Sequence, residues 1–576
     1  MAETPASSLE ALFEDLKSDD LDKKANAMRN ISIIGSALGP ERCRSELIPY
    51  LGEFMDEEEE VLIAMAEVVP TLFDLIGGKN FAYLLLEVLE KLSGIEDNSV
   101  CNNAVKGFLL VISKLDCSKI EIMLLEQVNR MNSSEWLNSR LALCSILPNI
   151  CADMSGEGQS LILDTFRSLI THSNSMVRRK AAENFKYFIG KVTGRCESNL
   201  QEFLGLIGVD KDDSVRLIAV EDLLGYFKIL SPKTNSSLMP VFRMLMDDKS
   251  WRVRYLVAEK LPEFASSMAP EQRSGVLISA MTKFLQDSEP EVRTGASQKL
   301  IDFCKLISSD EILASIIPVL PPLISDIEYV KATIASNLVK LMTLVGRNHS
   351  TQHLLPLALE LLRDSSPDIK VCVLCDLEGM FQVVGAESLA QIIMPSLEEL
   401  IEDKQWRIKV KILESFPLLG KQLGQDFFED HFLQIVKRML FDSVYSVRSA
   451  ANLVVKDLVA VFGANWVEKM IVKELCENEN SDAYNKRLSL VLFLKYVAGL
   501  LSTEFVNTVV VETLNHMASD KVPNIRLNVV KSIKEVAINI KDQQVRDSLK
   551  YSLRLLNKDE DTDVRYYAEQ AVRTFA

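Results

Sequence analysis

The chain has few residues that interrupt helices and few of those that favour strands. Of its 576 residues, 23 are Gly and 18 are Pro, and aromatic residues make up 7%. Aromatic residues are enriched in β-sheets, whereas Gly and Pro punctuate the turns between strands. This composition therefore favours helices over strands.

Long apolar runs are also missing, and we expect no secretory leader. The most apolar stretch, residues 312–324, is too short and too rich in proline to span a bilayer. The opening MAETPASSLEALFEDL is acidic and amphipathic, unlike a secretory signal. The ten cysteines show no framework spacing, which is typical of reduced thiols. We expect a soluble cytoplasmic protein that could also enter the nucleus.

Basic residues are outnumbered, and catalytic motifs do not emerge. The formal charge of −17 argues against nucleic acid and anionic membranes as partners, because phosphate binding needs surplus Lys and Arg. The five histidines are scattered without an HExxH motif, and the Cys372–Cys375 CxxC has no second pair at zinc spacing. We therefore predict a protein that is not an enzyme and has no metal or cofactor.

A pattern of an anchor residue followed by a basic one recurs every 38 or 39 residues. The thirty residues four and eight positions after the anchors are all apolar, which is the spacing of one helical stripe. A second helical segment precedes most anchors, as in 353–364. Each copy thus predicts a helix A, a turn and a helix B. The fifteen anchors are Lys23, Val61, Val100, Ser139, Val177, Val215, Val253, Val292, Val330, Ile369, Ile408, Val447, Lys486, Ile525 and Val564.

Two-helix units of this length are typical of HEAT repeats, which must stack to bury their apolar stripes. We predict an all-α fold, an α-solenoid forming a right-handed superhelix of about 15 such repeats. Residues 1–7 would be an N-terminal tail and residues 8–576 a single continuous solenoid, because no linker interrupts the register.

The turns carry two regular features. Asp stands five residues before the anchor in nine copies, and a basic residue follows the anchor in thirteen of fifteen. Such regularity indicates structure, and we predict a ladder in which each basic residue pairs with a turn Asp of the same or the next repeat. Asp is also suited to ending one helix and capping the next.

Aromatic residues occupy one turn position in some copies. In DKSWRVRY (248–255) and DKQWRIKV (403–410) the Trp stands two residues before the anchor, and Tyr445 and Tyr484 do so in repeats 12 and 13. A Trp beside Arg is the composition of an interface hot spot, although such a Trp could also fold over its own helix ends. We interpret Trp406, Tyr445 and Tyr484 as one docking surface that Val522 and Asn524 extend. Trp136 lies beside the same position in repeat 4.

Several of these segments resemble the scaffolding A subunit of the type 2A serine/threonine protein phosphatase. The resemblance is carried by DKSWRVRYLVAEKL (248–261), DSEPEVRTGASQKL (287–300), HLLPLALELLRDSSPDIK (353–370), DKQWRIKVKILESFPLLGKQLG (403–424), FDSVYSVRSAA (441–451) and DVRYYAEQA (563–571). It implies a non-catalytic scaffold within a hetero-oligomer, with a dimeric core and a trimeric holoenzyme.

The resemblance also implies two binding arms. Repeats 11–15 (387–576) would hold the phosphatase catalytic subunit, and repeats 1–10 (8–386) a variable regulatory B-type subunit. The regulatory arm departs from the family pattern at two points: Ser175 stands where relatives often have Pro, and repeats 2 and 3 lack the basic residue (Leu62 and Cys101). The implied binding residues are Trp406, Arg407, Val444, Tyr445, Tyr484 and Val522 for the catalytic subunit, and Arg178, Arg179, Trp251 and Arg252 for the regulatory subunit.

Other HEAT proteins remain alternatives. A nuclear-transport receptor would also be acidic and cytosolic, but it is usually longer and carries a long acidic loop. A tubulin-binding module uses Trp and basic residues in its turns, but usually in blocks of about six repeats joined by linkers. The partner that co-purifies would separate these functions.

Overall fold

The computed structural model describes residues 5–192, 196–229, 237–268 and 273–575, and these residues form helices and turns without a strand. The all-α prediction is confirmed. The chain divides into two compact units, residues 1–299 and 300–576. Within each unit, paired helices follow one another in the predicted register. Of the described helices, none is both long and apolar enough to cross a bilayer.

In the first unit the B helices begin at the turn and carry the anchor near their first turn. In order they are Leu21–Arg29 with Ile31–Arg42, Glu59–Val68, Asn98–Ile112, Leu137–Ile150, Ser175–Val192, Asp213–Ile229 and Trp251–Ser267, followed by Pro290–Cys304, whose last five residues belong to the second unit. The α-helices that precede them as A helices are Pro5–Leu16, Ile48–Leu51, Tyr83–Ser93, Glu121–Ser133, Gly156–Ile170, Glu197–Gly208, Met239–Met246 and Ile278–Leu285.

In the second unit the B helices follow the same register. They are Glu328–Val345, Pro367–Cys375 with Leu377–Val384, Trp406–Leu423, Tyr445–Phe462, Tyr484–Val497, Pro523–Val536 and Thr562–Phe575. Their A segments contain Ser309–Glu311, Arg347–His349 with Leu355–Leu362, Ala386–Ile401, Gln425–His431 with Leu433–Met439, Ala464–Val467 with Lys473–Cys476, Thr503–Phe505 with Val511–Met517, and Gln543–Leu556.

Several A segments contain a turn of π-helix, which inserts an extra residue and bends the helix. In repeat 10 the π turn ends directly before the helical segment that contains Pro356. The π turns are Cys43–Leu47, Arg273–Leu277, Ile312–Ile316, Ser350–Leu354, Glu468–Val472 and Val506–Val510.

The predicted stripe forms the core of both units. Of the thirty residues at positions four and eight after the anchors, all are buried except Val572. Val572 lies in helix Thr562–Phe575 and is half-buried. A stack of neighbouring repeats buries each stripe in this way, so the register read from the sequence is the register of the fold.

Candidate partner-binding surface

The turns of successive repeats are joined by ion pairs. In eight repeats the basic residue after the anchor reaches the Asp that begins the turn of the next repeat. In repeats 6 and 7, Arg216 holds Asp248 with Nε–Oδ2 and Nη2–Oδ1 distances of 2.6 and 2.8 Å. We call each such ion pair a rung of the ladder. The other rungs are Arg178–Asp210, Arg254–Asp287, Lys331–Asp364, Lys370–Asp403, Lys409–Asp442, Arg487–Asp520 and Arg526–Asp559.

Each rung can also fix the turns that it joins. Arg216 Nη1 donates to the carbonyl oxygens of Asp210 and Lys211, at 2.7 and 3.2 Å. The Asp at the start of a turn contributes as well, since Asp248 Oδ1 accepts the N–H of Ser250 at 2.7 Å. The predicted ladder is therefore confirmed, and its carboxylate comes from the next repeat.

These contacts hold the charges of the ladder in place. The hydrogen bond to Asp248 raises the pKa of Arg216 above its ordinary value, although burial of the guanidinium opposes this. In another rung, the hydrogen bond from Arg526 lowers the pKa of the Asp559 carboxyl below its ordinary value. Because each rung joins two neighbouring turns, the ladder fixes the spacing of the turns and of the residues they carry.

The aromatic residues of the second unit stand at the rim of these turns. Trp406, Tyr445 and Tyr484 are each the first residue of a B helix. Trp406 is 39% exposed and Tyr445 is 63% exposed, while Tyr484 is half-buried. Arg407 is exposed beside Trp406, with its Cζ 5.6 Å from the centre of the indole ring.

Two contacts connect these residues across repeats. The Lys409–Asp442 rung joins the turn of Trp406 to the turn of Tyr445. Asn524 Nδ2 donates to the hydroxyl of Tyr484, which joins the turns of repeats 13 and 14. Val444 and Val522 are the residues directly before the B helices of repeats 12 and 14. We call Trp406, Arg407, Val444, Tyr445, Tyr484, Val522 and Asn524 the aromatic row.

Three of the four candidate regulatory residues are exposed in the first unit. Arg179 lies on the surface and pairs with Glu183 at 3.2 Å. Arg252 lies over Trp251, with its Cζ 5.5 Å from the indole centre. Arg178 differs, because its side chain is 5% exposed and belongs to the ladder, where it pairs with Asp210 and Asp212. Arg178 therefore holds the turn through buried contacts and does not lie on the surface with Arg179, Trp251 and Arg252.

Sequence reasoning missed one distinctive residue. Arg448 occupies a ladder position in repeat 12, but Ser481 stands where the next turn would supply Asp. Counting the Asp register turn by turn would have found this position. In the described part of the chain, no group of three or more His, Cys, Asp and Glu side chains could hold a metal ion.

The chain is similar in sequence to several known proteins. The family described as PPP2R1A-like HEAT repeat matches residues 270–346. The repeats are HEAT repeats. The chain is 32% identical to the beta isoform of the human 65 kDa regulatory A subunit of serine/threonine-protein phosphatase 2A, over 64% of this chain and 62% of that protein. It is also 32% identical to the regulatory A subunit of protein phosphatase PP2A from Schizosaccharomyces pombe, over 45% of each chain.

These matches confirm the resemblance to the scaffolding A subunit that the turns indicate. They span less than two thirds of the length of those relatives. Among solved structures, Kap121p bound to Nup53p is similar, with a TM-score of 0.50, 14% identity, and coverage of 100% of this chain and 67% of that one. At this identity the likeness concerns the fold alone.

Proposed function

We propose that this protein is a regulatory, non-catalytic scaffold of a serine/threonine phosphatase in the cytoplasm and nucleus. Repeats 11–15 hold the phosphatase catalytic subunit, and the N-terminal repeats hold a variable regulatory subunit. Binding both proteins to one chain raises the effective concentration of the substrate-selecting subunit near the active site. The metal ions and catalytic residues belong to the bound enzyme.

The observation that carries this proposal is the aromatic row. Large aromatic side chains in water are costly unless a partner covers them, and Trp, Tyr and Arg dominate the energetics of interfaces. Here they recur at one position in three consecutive repeats, each as the first residue of a B helix. The similarity to phosphatase A subunits supports the phosphatase catalytic subunit as the protein that covers them.

The regulatory subunit is assigned to the exposed residues of repeats 5 and 7. Arg179, Trp251 and Arg252 present two cations and one indole on the first unit. This surface suits an acidic segment bearing apolar side chains, because Arg binds carboxylates in pairs of hydrogen bonds. Arg178 contributes by fixing the turn through its ion pairs with Asp210 and Asp212.

The test is binding of purified phosphatase catalytic subunit to the full chain and to Trp406→Ala. Truncating a hot-spot Trp costs about 2 kcal/mol, which is roughly a 30-fold loss of affinity. Trp136→Ala is the matched control, because Trp136 is 59% exposed at a turn of repeat 4. Equal affinity of Trp406→Ala and Trp136→Ala would place the enzyme elsewhere, and absence of binding to the wild type would end the proposal.

A further inference from the structure

The ladder of the second unit is open at one interface. In the described part of residues 300–575, repeats 9 to 14 each have a basic residue after the anchor, and five of the six reach an Asp of the next turn. The exception is Arg448, which forms no ion pair with any described residue in this range. The open rung lies between repeats 12 and 13.

The cause is a one-residue shift of the acidic group. Ser481 stands five residues before the anchor Lys486, and its hydroxyl caps the turn by accepting the N–H of Ala483 at 3.3 Å. The carboxylate follows one residue later, at Asp482, which is exposed to solvent. It does not pair with Arg448.

Arg448 is nevertheless held like the arginines of complete rungs. Its Nη1 donates to the carbonyl oxygens of Asp442 and Ser443, at 2.7 and 3.0 Å. Nη1 of Arg487 donates in the same way to the carbonyl oxygens of its own turn, Ser481 and Asp482, at 2.7 and 3.2 Å. Its Nε and Nη2 then bind the carboxylate of Asp520. The corresponding two donors of Arg448 are thus oriented for a carboxylate that the next turn does not supply.

The surroundings of the open rung suit an anion from outside. Arg448 is half-buried, which strengthens a charge-assisted hydrogen bond relative to one in open water. Its Cζ lies 5.7 Å from the ring centre of Tyr445, which is 63% exposed in the aromatic row. Lys486 lies on the neighbouring turn with its Nζ 6.0 Å from the ring centre of Phe441. A second cation therefore lies near the turn of repeat 12.

We propose that the open rung receives an Asp or Glu side chain of the protein bound at the aromatic row. The incoming carboxylate accepts two hydrogen bonds, from Nε and Nη2 of Arg448, and so completes the ladder in trans. Arg448 loses little side-chain freedom on binding, because its guanidinium is already fixed by the turn. The identity of the bound protein rests on the proposed function, while the carboxylate site rests on the ladder alone.

The decisive variant is Ser481→Asp, which supplies the missing carboxylate from within the chain. We expect it to raise the unfolding midpoint and to weaken the binding of purified phosphatase catalytic subunit by about 10-fold or more. Arg448→Met should weaken binding to a similar degree by removing the donors. Asn480→Asp is the charge-matched control, since it adds the same charge at an exposed neighbouring position, and we expect a change of less than threefold.

The outcomes separate this inference from the proposed function. If the catalytic subunit binds wild type and Ser481→Asp equally, the inference is overturned and the scaffold proposal stands, because Arg448 would then be a structural residue. If the catalytic subunit binds neither, the scaffold proposal fails. A fluorescein-labelled octaglutamate peptide at low salt then decides the inference by itself. A fivefold weaker affinity for Ser481→Asp and Arg448→Met than for Asn480→Asp supports the inference, and equal affinities refute it.

Discussion

Removing one cation from the ladder tests whether the rungs stabilise the stack. Arg216→Met deletes a guanidinium whose side chain is 4% exposed and leaves the Asp248 carboxylate, 6% exposed, without its ion pair. Breaking a buried pair from one side costs about 3–5 kcal/mol, because the remaining charge stays desolvated. The carbonyl oxygens of Asp210 and Lys211 lose their donor as well. We expect a loss in the upper part of that range.

The matched control is Arg179→Met, which breaks an ion pair on the surface of the neighbouring repeat. Arg179 and Glu183 are 59% and 43% exposed, so the loss should be about 0.2–0.5 kcal/mol. The double variant Arg216→Met/Asp248→Asn should recover part of the loss, since Asn keeps the oxygen that caps the turn and carries no buried charge.

The assay is urea unfolding followed by circular dichroism, with hydrogen exchange of helix Asp213–Ile229 as a local readout. Repeat proteins can open one section at a time, and the exchange rates show whether the loss is confined to repeats 6 and 7. If Arg216→Met costs no more than Arg179→Met, the buried rungs contribute nothing to stability. If the double variant loses as much unfolding free energy as Arg216→Met and Asp248→Asn lose together, the two residues are not coupled.

Two further changes test the interior. Burial raises the pKa of Asp222 well above its usual value, so the folded state binds this proton more tightly and stability falls as pH rises above the ordinary Asp range. Asp222→Asn should therefore raise the free energy of unfolding at pH 7 by more than at pH 4.5, and an equal effect at both would contradict the burial argument. Gly107→Ala should cost about 1–3 kcal/mol, because the added Cβ would lie 2.8 Å from Pro70 Cγ. Gly205→Ala, which meets open space in helix Glu197–Gly208, should instead gain about 0.5–1 kcal/mol in the same unfolding assay.

The register was predictable because a solenoid is a local structure. Each repeat packs on its sequence neighbours, so the core shows as a period in the chain, and even the weak anchors Lys23 and Lys486 begin buried stripes. A second periodic signal lies sixteen residues after the anchor. Gly346, Gly385, Gly424 and Gly463 end four successive B helices with φ of 79–92°, a left-handed value that favours glycine. These glycines would have fixed the helix ends.

The candidate site was less predictable, because two neighbouring basic residues can have opposite environments. Arg178 and Arg179 are adjacent in the sequence, but successive positions on a helix point about 100° apart. One side chain is buried in the ladder and the other reaches the solvent. The resemblance assigned both arginines to the regulatory subunit. Their positions relative to the anchor Val177 distinguish them, because the residue directly after an anchor belongs to the ladder.

The same geometry couples stability to binding, so that removing a ladder residue cannot separate the two effects. A rung joins the turn that carries one aromatic residue to the turn that carries the next, as Lys409–Asp442 does for Trp406 and Tyr445. Removing a ladder residue can therefore weaken partner binding without touching the partner, by loosening the spacing of the row. Completing the open rung, as in Ser481→Asp, has the opposite effect on stability, since the new ion pair stabilises the chain and leaves the spacing of the turns intact. A variant that gains stability while losing affinity is thus the clearest sign that a partner used the position directly.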